Sequence, residues 1–395
     1  VSGEPAPAVR IPLQERFRYV HQPLVDDEQV IPMLGNEEAV DALVHRIARS
    51  AGGAFLITGF RGVGKTTIIA RALRKLKALD GDVSFVPVML NVARPKTVEV
   101  LLFEVIRRVF ETLKDEGLFE RMSPHVQREL ILAYWRTSMS FSETRSKATE
   151  RGGGLTLGAP ALLEALGPKL ELSRKTTNSL ATQASFLAYT EADVEHDFLR
   201  ILDLLDRPDT NRARRRRRRD PPPWHGTLVV VVDELDKLTE QENGMQFIEE
   251  ILSGLKNLLT APGVHFLFVA GPDLHDTALR ASRRGNSVYE SVFAWQLYVP
   301  CLWRATDGLL DAVVAPGARG HPQLRSFADY LTFKSRGVPR LLVMELNSFV
   351  QFTDGRPEIV IGPDDLARVE FYAALDRSLA EFVHGETAKL PGTIR

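Results

Sequence analysis

The apolar run Ala54 to Ile57 leads through Thr58 into Gly59-Phe60-Arg61-Gly62-Val63-Gly64-Lys65-Thr66-Thr67, and an amphipathic stretch carrying Ile68, Ile69, Leu73 and Leu76 follows at once. This order of strand, glycine loop and helix fits the G-x-x-x-x-G-K-[ST] pattern and commits the chain to an α/β architecture. Gly62 and Gly64 let the backbone turn with its N–H groups pointing inward, which makes a nest for phosphate oxygens. The helix that starts near Lys65 adds its partial positive charge to the same anion. In this pattern Lys65 reaches the outer phosphates and the Thr66 hydroxyl is placed to ligate Mg²⁺. A glycine turn ahead of an ordinary helix would have no need of Lys-Thr in register.

A second constellation lies far downstream. Leu228 to Val232 is a continuous apolar run, rich in β-branched residues, as expected of a parallel strand buried on both faces. It ends in Asp233-Glu234. Ligands of doubly wound sheets sit beyond the carboxyl ends of the strands, so these acids are expected to face phosphates. Asp233 is then the candidate Mg²⁺ ligand, and Glu234 the group that orients and deprotonates an attacking water. A bare helix N-cap would explain one acid. Two consecutive acids, with a phosphate loop upstream, favour hydrolysis.

With these pieces in place, the chain resembles an AAA+ ATPase, nearest the initiator-type and STAND-like branches that carry a Gly-x-Pro-Arg motif. The resemblance implies a three-layer P-loop NTPase: a parallel sheet between helices, a small C-terminal helical lid, and a large insertion between the two Walker motifs. Val30 to Asn36 resembles the adenine-side segment, which makes Ile31 and Pro32 nucleotide-binding candidates beside the loop Gly59–Thr67. Val86 to Asn91 looks like a second strand whose terminal Asn91 restrains the catalytic Glu. Val264 to Ala270 resembles the sensor-1 strand, with Asp273 as the nearby side chain where the family more often has Asn, Ser or Thr. Arg280, Arg283 and Arg284 precede Phe293 to Val299, where such families place an arginine finger supplied by a neighbouring subunit. That implies self-assembly. Gly337-Val338-Pro339-Arg340 resembles sensor 2, which makes Arg340 a γ-phosphate contact. ATP, with Mg²⁺, is the nucleotide the resemblance implies, and no guanine-reading motif stands at a suitable strand end.

Composition sets the background. A chain of 395 residues with 44% hydrophobic content can bury an ordinary core. Its formal net charge of −1 means that any affinity for polyanions must be local. The single cysteine, Cys301, cannot form an intrachain disulfide and fits a reducing, cytoplasmic setting. Neither a membrane-spanning run nor a signal-peptide pattern is present.

The expected organisation is an N-terminal extension (1–27), the first part of the ATPase core (28–94), a mainly helical insertion (95–225), the second part of the core (226–302), and the lid with its tail (303–395). Within the insertion, Val98, Leu101, Leu102, Val105, Val109 and Leu113 recur at helical spacing, and a second helix is expected from about Pro124 to Met139. Leu155-Thr156-Leu157 and Leu170-Glu171-Leu172 are candidates for a hairpin. A further helix is expected from Glu191, with Val194, Phe198, Ile201, Leu202 and Leu205 on one face. Its Asp193, Glu195, His196 and Asp197 have poor spacing for a metal and read as a solvated face.

Arg212 to Arg219 holds seven arginines in eight positions, so it must lie outside any core. It stands before the N-terminal end of the acidic strand, away from the nucleotide end. It is a candidate contact for nucleic acid or another polyanion, and equally a tolerated loop. After Arg340, a helix to Val350, a strand at Glu358 to Ile361 and a helix at Asp364 to Phe382 are expected to finish the lid. The reading is an ATP-hydrolysing switch or motor module. A DNA-associated ATPase and a nucleotide-gated scaffold with little turnover stay open as alternatives.

Overall fold

The structure, a computed structural model, describes residues 8–20, 31–79, 84–92, 94, 96–149, 191–206, 224, 226–283, 285 and 287–388. The expected hairpin near 155–172, the arginine run and Arg284 lie outside these residues. The chain divides into two compact units: one of residues 44–58 and 73–297, the other of residues through 43, 59–72 and from 298 onward.

The first unit is built on a five-stranded sheet. Its strands are β2 (Gly53–Thr58), β3 (Ser84–Asn91), β4 (Gly226–Asp233), β5 (Val264–Ala270) and β6 (Phe293–Tyr298), in spatial order β3-β4-β5-β2-β6. The neighbours β3/β4, β4/β5 and β5/β2 all pair in parallel. Every residue of β4 before Asp233 is buried, as is every residue of β5, so their uninterrupted apolar sequences match strands covered on both faces. By contrast, β3 alternates in burial and carries Pro87, which suits the edge position it holds among the described strands. Register puts Asn91 opposite Asp233 and Thr58 opposite Ala270, so the carboxyl ends of these strands finish together.

Helices from the expected insertion belong to the same core. Val98–Asp115 begins at Thr97, whose hydroxyl accepts from the Val100 amide at 3.3 Å. Helices Pro124–Thr149 and Glu191–Asp206 pack with it and are tied together by Arg136 to Asp197 at 2.6 Å and Arg200 to Glu129 at 3.1 Å. The face of Val194, Phe198, Ile201, Leu202 and Leu205 is buried as its periodicity requires. These residues share one cluster with Leu228, Val230 and Phe266 of the sheet.

The second unit holds helices Ala305–Val313, Leu324–Ser335, Pro339–Phe349 and Pro363–Ala388. A three-stranded antiparallel sheet accompanies them, so this part of the chain is not purely helical. Strand β8 (Arg356–Ile361) lies between β1 (Val9–Pro12) and β7 (Val350–Thr353). The N-terminal segment expected as an extension therefore supplies a strand, paired Arg10 to Val360 and Ile11 to Ile359. The core here joins Ile11, Phe17 and Ile31 to Leu309, Phe327, Leu346 and Ile361. No helix among the described residues is long and apolar enough to cross a membrane.

Candidate nucleotide site

The phosphate loop leaves β2 after Thr58, and its helix runs Lys65–Lys77. Gly59, Gly62 and Gly64 have φ of 147°, 88° and 102°, a region open to glycine and strained for other residues. A Cβ at Gly64 would meet nothing within 4 Å, so the backbone there faces open space. The Lys65 ammonium is buried and donates to the Gly59 carbonyl at 2.7 Å and to the Phe60 carbonyl at 3.1 Å. Phe60 and Arg61 are exposed, Val63 is buried, and Thr66 and Thr67 are half-buried.

Close backbone approaches join this loop to other segments of the second unit. The Arg340 amide donates to the Gly62 carbonyl at 3.2 Å, which satisfies one of the free donors in the first turn of helix Pro339–Phe349. A Cβ on Gly62 would lie 2.8 Å from Arg340 Cβ and 3.1 Å from Val338 Cγ1. Gly59 comes so near Val299 that a Cβ would stand 2.6 Å from its carbonyl oxygen. The Leu302 amide donates to the Gly337 carbonyl at 2.6 Å, and the Leu302 side chain covers Gly35. The structure thus gathers three sequence-level candidates: the segment after Ile31, the phosphate loop and the Gly-x-Pro-Arg turn. Within the first of these, Ile31 is a buried core residue and Pro32 is exposed. The Arg340 side chain is exposed.

In the first unit, β4 delivers Asp233 and Glu234 at its carboxyl end. Asp233 Oδ1 accepts from the Glu234 amide at 2.7 Å. Glu234 has φ of 68°, a conformation that costs a residue with a Cβ about 1–3 kcal/mol and recurs at functional positions. Its carboxylate is paired with Lys237 at 2.5 Å. Asn91 stands opposite Asp233 in the strand register, with its side chain exposed.

Beyond β5, Gly271 caps helix Pro272–Ser282, and Asp273 is an exposed acid in its first turn, where the helix dipole favours it. Arg280 is exposed and donates to the Asp276 carbonyl within the same helix, and Arg283 is exposed at its end. The same helix holds a side chain that the sequence did not single out. His275 Nδ1 lies 3.2 Å from the Thr58 hydroxyl, which is also 3.4 Å from the Leu297 carbonyl. Thr58 is 0% exposed. The available signal was one polar residue closing an otherwise apolar strand, with nothing to indicate its partner. Deeper in the sheet, His265 on β5 stacks on Phe55, and burial lowers its pKa to about 4. Among the described residues no cluster of His, Cys, Asp and Glu has the makings of a separate metal centre.

The model of the KAP family P-loop domain matches residues 37–293, more than half of the chain. No curated protein matches it. Solved structures with a similar course include the Aeropyrum pernix ORC2 protein in ADPNP–ADP complexes, with 11% identity, a TM-score of 0.41, and coverage of 85% of this chain and 66% of that one. Cdc6p from Pyrobaculum aerophilum shows 15% identity and a TM-score of 0.39 over 82% of this chain and 63% of its own. The Aeropyrum pernix ORC1 protein in complex with DNA shows 15% identity and a TM-score of 0.36, over 80% and 60%. The chain therefore spans less than two thirds of the length of these structures.

Proposed function

Because the chain belongs to the KAP family of P-loop NTPases, we propose that it is a Mg²⁺-dependent ATPase in which nucleotide turnover drives a conformational or assembly switch. Its P-loop, nucleotide-binding character follows from the family, and the AAA+-like arrangement is our reading. ATP as substrate, hydrolysis and the roles of single residues are our reading. The amides of Gly59–Thr67 would hold the phosphates, and Lys65 would exchange its carbonyl partners for phosphate oxygens. The oxygen donors Thr66 and Asp233 suit a hard, hydrated cation such as Mg²⁺. When bound, Mg²⁺ supplies neutralisation of the charge that develops on the phosphates. Glu234 would take the proton of the attacking water once Lys237 yields its carboxylate. Arg340 would sense the γ-phosphate from the Gly-x-Pro-Arg turn, and Arg283 or Arg284 would serve a neighbouring subunit. Asn91 would restrain Glu234, and Asp273 would help to polarise water.

The observation that carries this reading is the hydrogen bond from the Arg340 amide to the Gly62 carbonyl. It makes the helix that bears Arg340 a direct neighbour of the phosphate loop, so a change in loop geometry reaches that helix without an intermediary.

The test is phosphate release from Mg-ATP, together with equilibrium nucleotide binding, for the wild type, Lys65→Ala and Glu234→Gln. Lys65→Ala should lose binding. Glu234→Gln should retain it and slow release by about 10²- to 10⁴-fold. Specific activity that rises with protein concentration would support a shared active site. A wild type that binds ATP without releasing phosphate would overturn the hydrolytic reading in favour of a nucleotide-gated scaffold.

A further inference from the structure

Thr58 is the last residue of β2 and the residue from which the phosphate loop departs. It is fully buried, and a buried hydroxyl is costly unless bonded. Its oxygen meets two partners from different elements: the Leu297 carbonyl of β6 at 3.4 Å and His275 Nδ1 at 3.2 Å. A hydroxyl has one proton to give. When it donates to the Leu297 carbonyl, it must accept from His275, so the imidazole carries its proton on Nδ1. The result is one oxygen that ties the end of β2 to β6 and to the helix following β5.

We infer that His275 is a positioning residue for the phosphate loop, acting through Thr58. This rests on the nucleotide-binding reading above and adds a residue to it. Gly59, with φ of 147°, adopts a conformation that glycine takes at little steric cost and other residues rarely do, so the loop's departure from β2 is fixed in part by how firmly Thr58 is held. Two groups hold Thr58 at the strand end: the Leu297 carbonyl of the adjacent strand and the His275 imidazole of helix Pro272–Ser282. The loop amides are useful to a phosphate only if they point inward before it arrives, because reordering them on binding subtracts from affinity. His275 contributes this restraint and does not touch the nucleotide.

Five proteins decide the matter: the wild type, His275→Leu, His275→Asn, Thr58→Val and the double variant His275→Leu/Thr58→Val. Asparagine can place an amide N–H near the position of Nδ1, whereas leucine cannot. Two readouts are taken, amide hydrogen exchange of residues 59–64 without nucleotide, and binding and turnover of Mg-ATP. In His275→Leu, exchange in the loop should accelerate while the melting temperature of the protein stays near that of the wild type. ATP affinity should fall about three- to tenfold, the loss of one net hydrogen bond. His275→Asn should recover most of both, and the double variant His275→Leu/Thr58→Val should be no worse than the more affected single variant. Unchanged loop exchange in His275→Leu overturns the inference whether or not the protein turns over ATP. Additive losses in the double variant overturn it too, since the two residues would then act separately. Should His275→Leu fail to fold, His275→Asn and Thr58→Val still report loop exchange, and a loop unaffected by Thr58→Val is equally fatal. A wild type that fails to bind nucleotide, with the exchange results as expected, would refute the nucleotide reading alone and leave the restraint standing.

Discussion

The two units of this molecule present their functional chemistry in different currencies. In the parallel-sheet unit the candidate groups are side chains at strand ends: Asp233 and Glu234 after β4, His275 beyond β5, Thr58 closing β2. In the other unit the side chains of Lys65, Thr66 and Arg340 stand among backbone atoms that take part as well: the amides of the phosphate loop, the Gly62 carbonyl and the Arg340 amide that donates to it. Side chains titrate, pair and change partner. Backbone groups pair without titrating, and their only sequence signature is the glycine that permits the approach. The candidate site in the phosphate-loop unit therefore leans on backbone geometry more than the strand ends of the parallel sheet do.

The largest test of that contrast is mechanical. Phe266 lies in the core of the parallel-sheet unit and Phe327 in the core of the other, both almost fully buried. Truncation of either to alanine should cost about 3–5 kcal/mol. Hydrogen exchange resolved by peptide should show protection lost first in the unit that carries the change. Equal loss in both units for either variant would mean that they unfold as one, and the contrast would then concern function alone.

Acid should separate the units next. His265 is held neutral by burial, with a pKa lowered from 6.5 to about 4. The unfolded chain takes up this proton first as pH falls, so its contribution to stability is complete above about pH 6.5 and declines toward pH 4. The loss is about 3 kcal/mol, and His265→Phe should remove the pH dependence. In the other unit burial raises the pKa of Asp329 and Asp376, and the proximity of the two adds to the shift at Asp376. There the folded form binds the proton more readily, so acidification relieves a cost. Urea denaturation at pH 7 and pH 5, followed by exchange in each unit, should show opposite slopes.

Smaller effects sharpen the backbone side of the comparison. Gly62→Ala must strain φ and press on Arg340 Cβ, while Gly64→Ala strains φ but meets open space. The first should be the more destabilising, with each costing about 1–3 kcal/mol, and the midpoints of urea unfolding give the difference. If the two are equal, close approach to Arg340 is not what requires glycine at position 62. The smallest expected change is Arg10→Ala, which breaks an exposed pair with Glu358 at 2.9 Å and should cost less than about 1 kcal/mol in the same assay.

The sequence reads best where burial is total. The run Leu228 to Val232 could only be an interior parallel strand, and β4 extends it by two residues at the start and one at the end. The helix Glu191–Asp206 was equally plain, since five apolar residues fall on one face. Strand β1 was illegible because Val-Arg-Ile-Pro is too short to carry a pattern and its partner lies at the other end of the chain. The β7–β8 hairpin had a usable signal. Asp354-Gly355, with φ of 51° and 78°, is the two-residue turn such hairpins favour, yet Val350 reads as the end of a helix when helical periodicity alone is followed. At the site, the glycines and acids announced themselves by pattern. The left-handed turn at Glu234, whose carboxylate pairs with Lys237, leaves no mark on the sequence. Nor does the pairing of Thr58 with His275, because it depends on where two unrelated segments end.

Strand β1 pairs with residues about 350 positions later in the chain. A ribosome adds about 5–20 residues per second, so roughly 20–70 s separate the emergence of Val9–Pro12 from the emergence of β8. Throughout that interval the whole parallel sheet can be made and can fold, while the first strand waits with its edge unsatisfied. The unit that carries the phosphate loop is thus the last to be finished during biosynthesis. A nascent chain arrested before residue 356 should contain a formed β4 and no partner strand for Val9–Pro12.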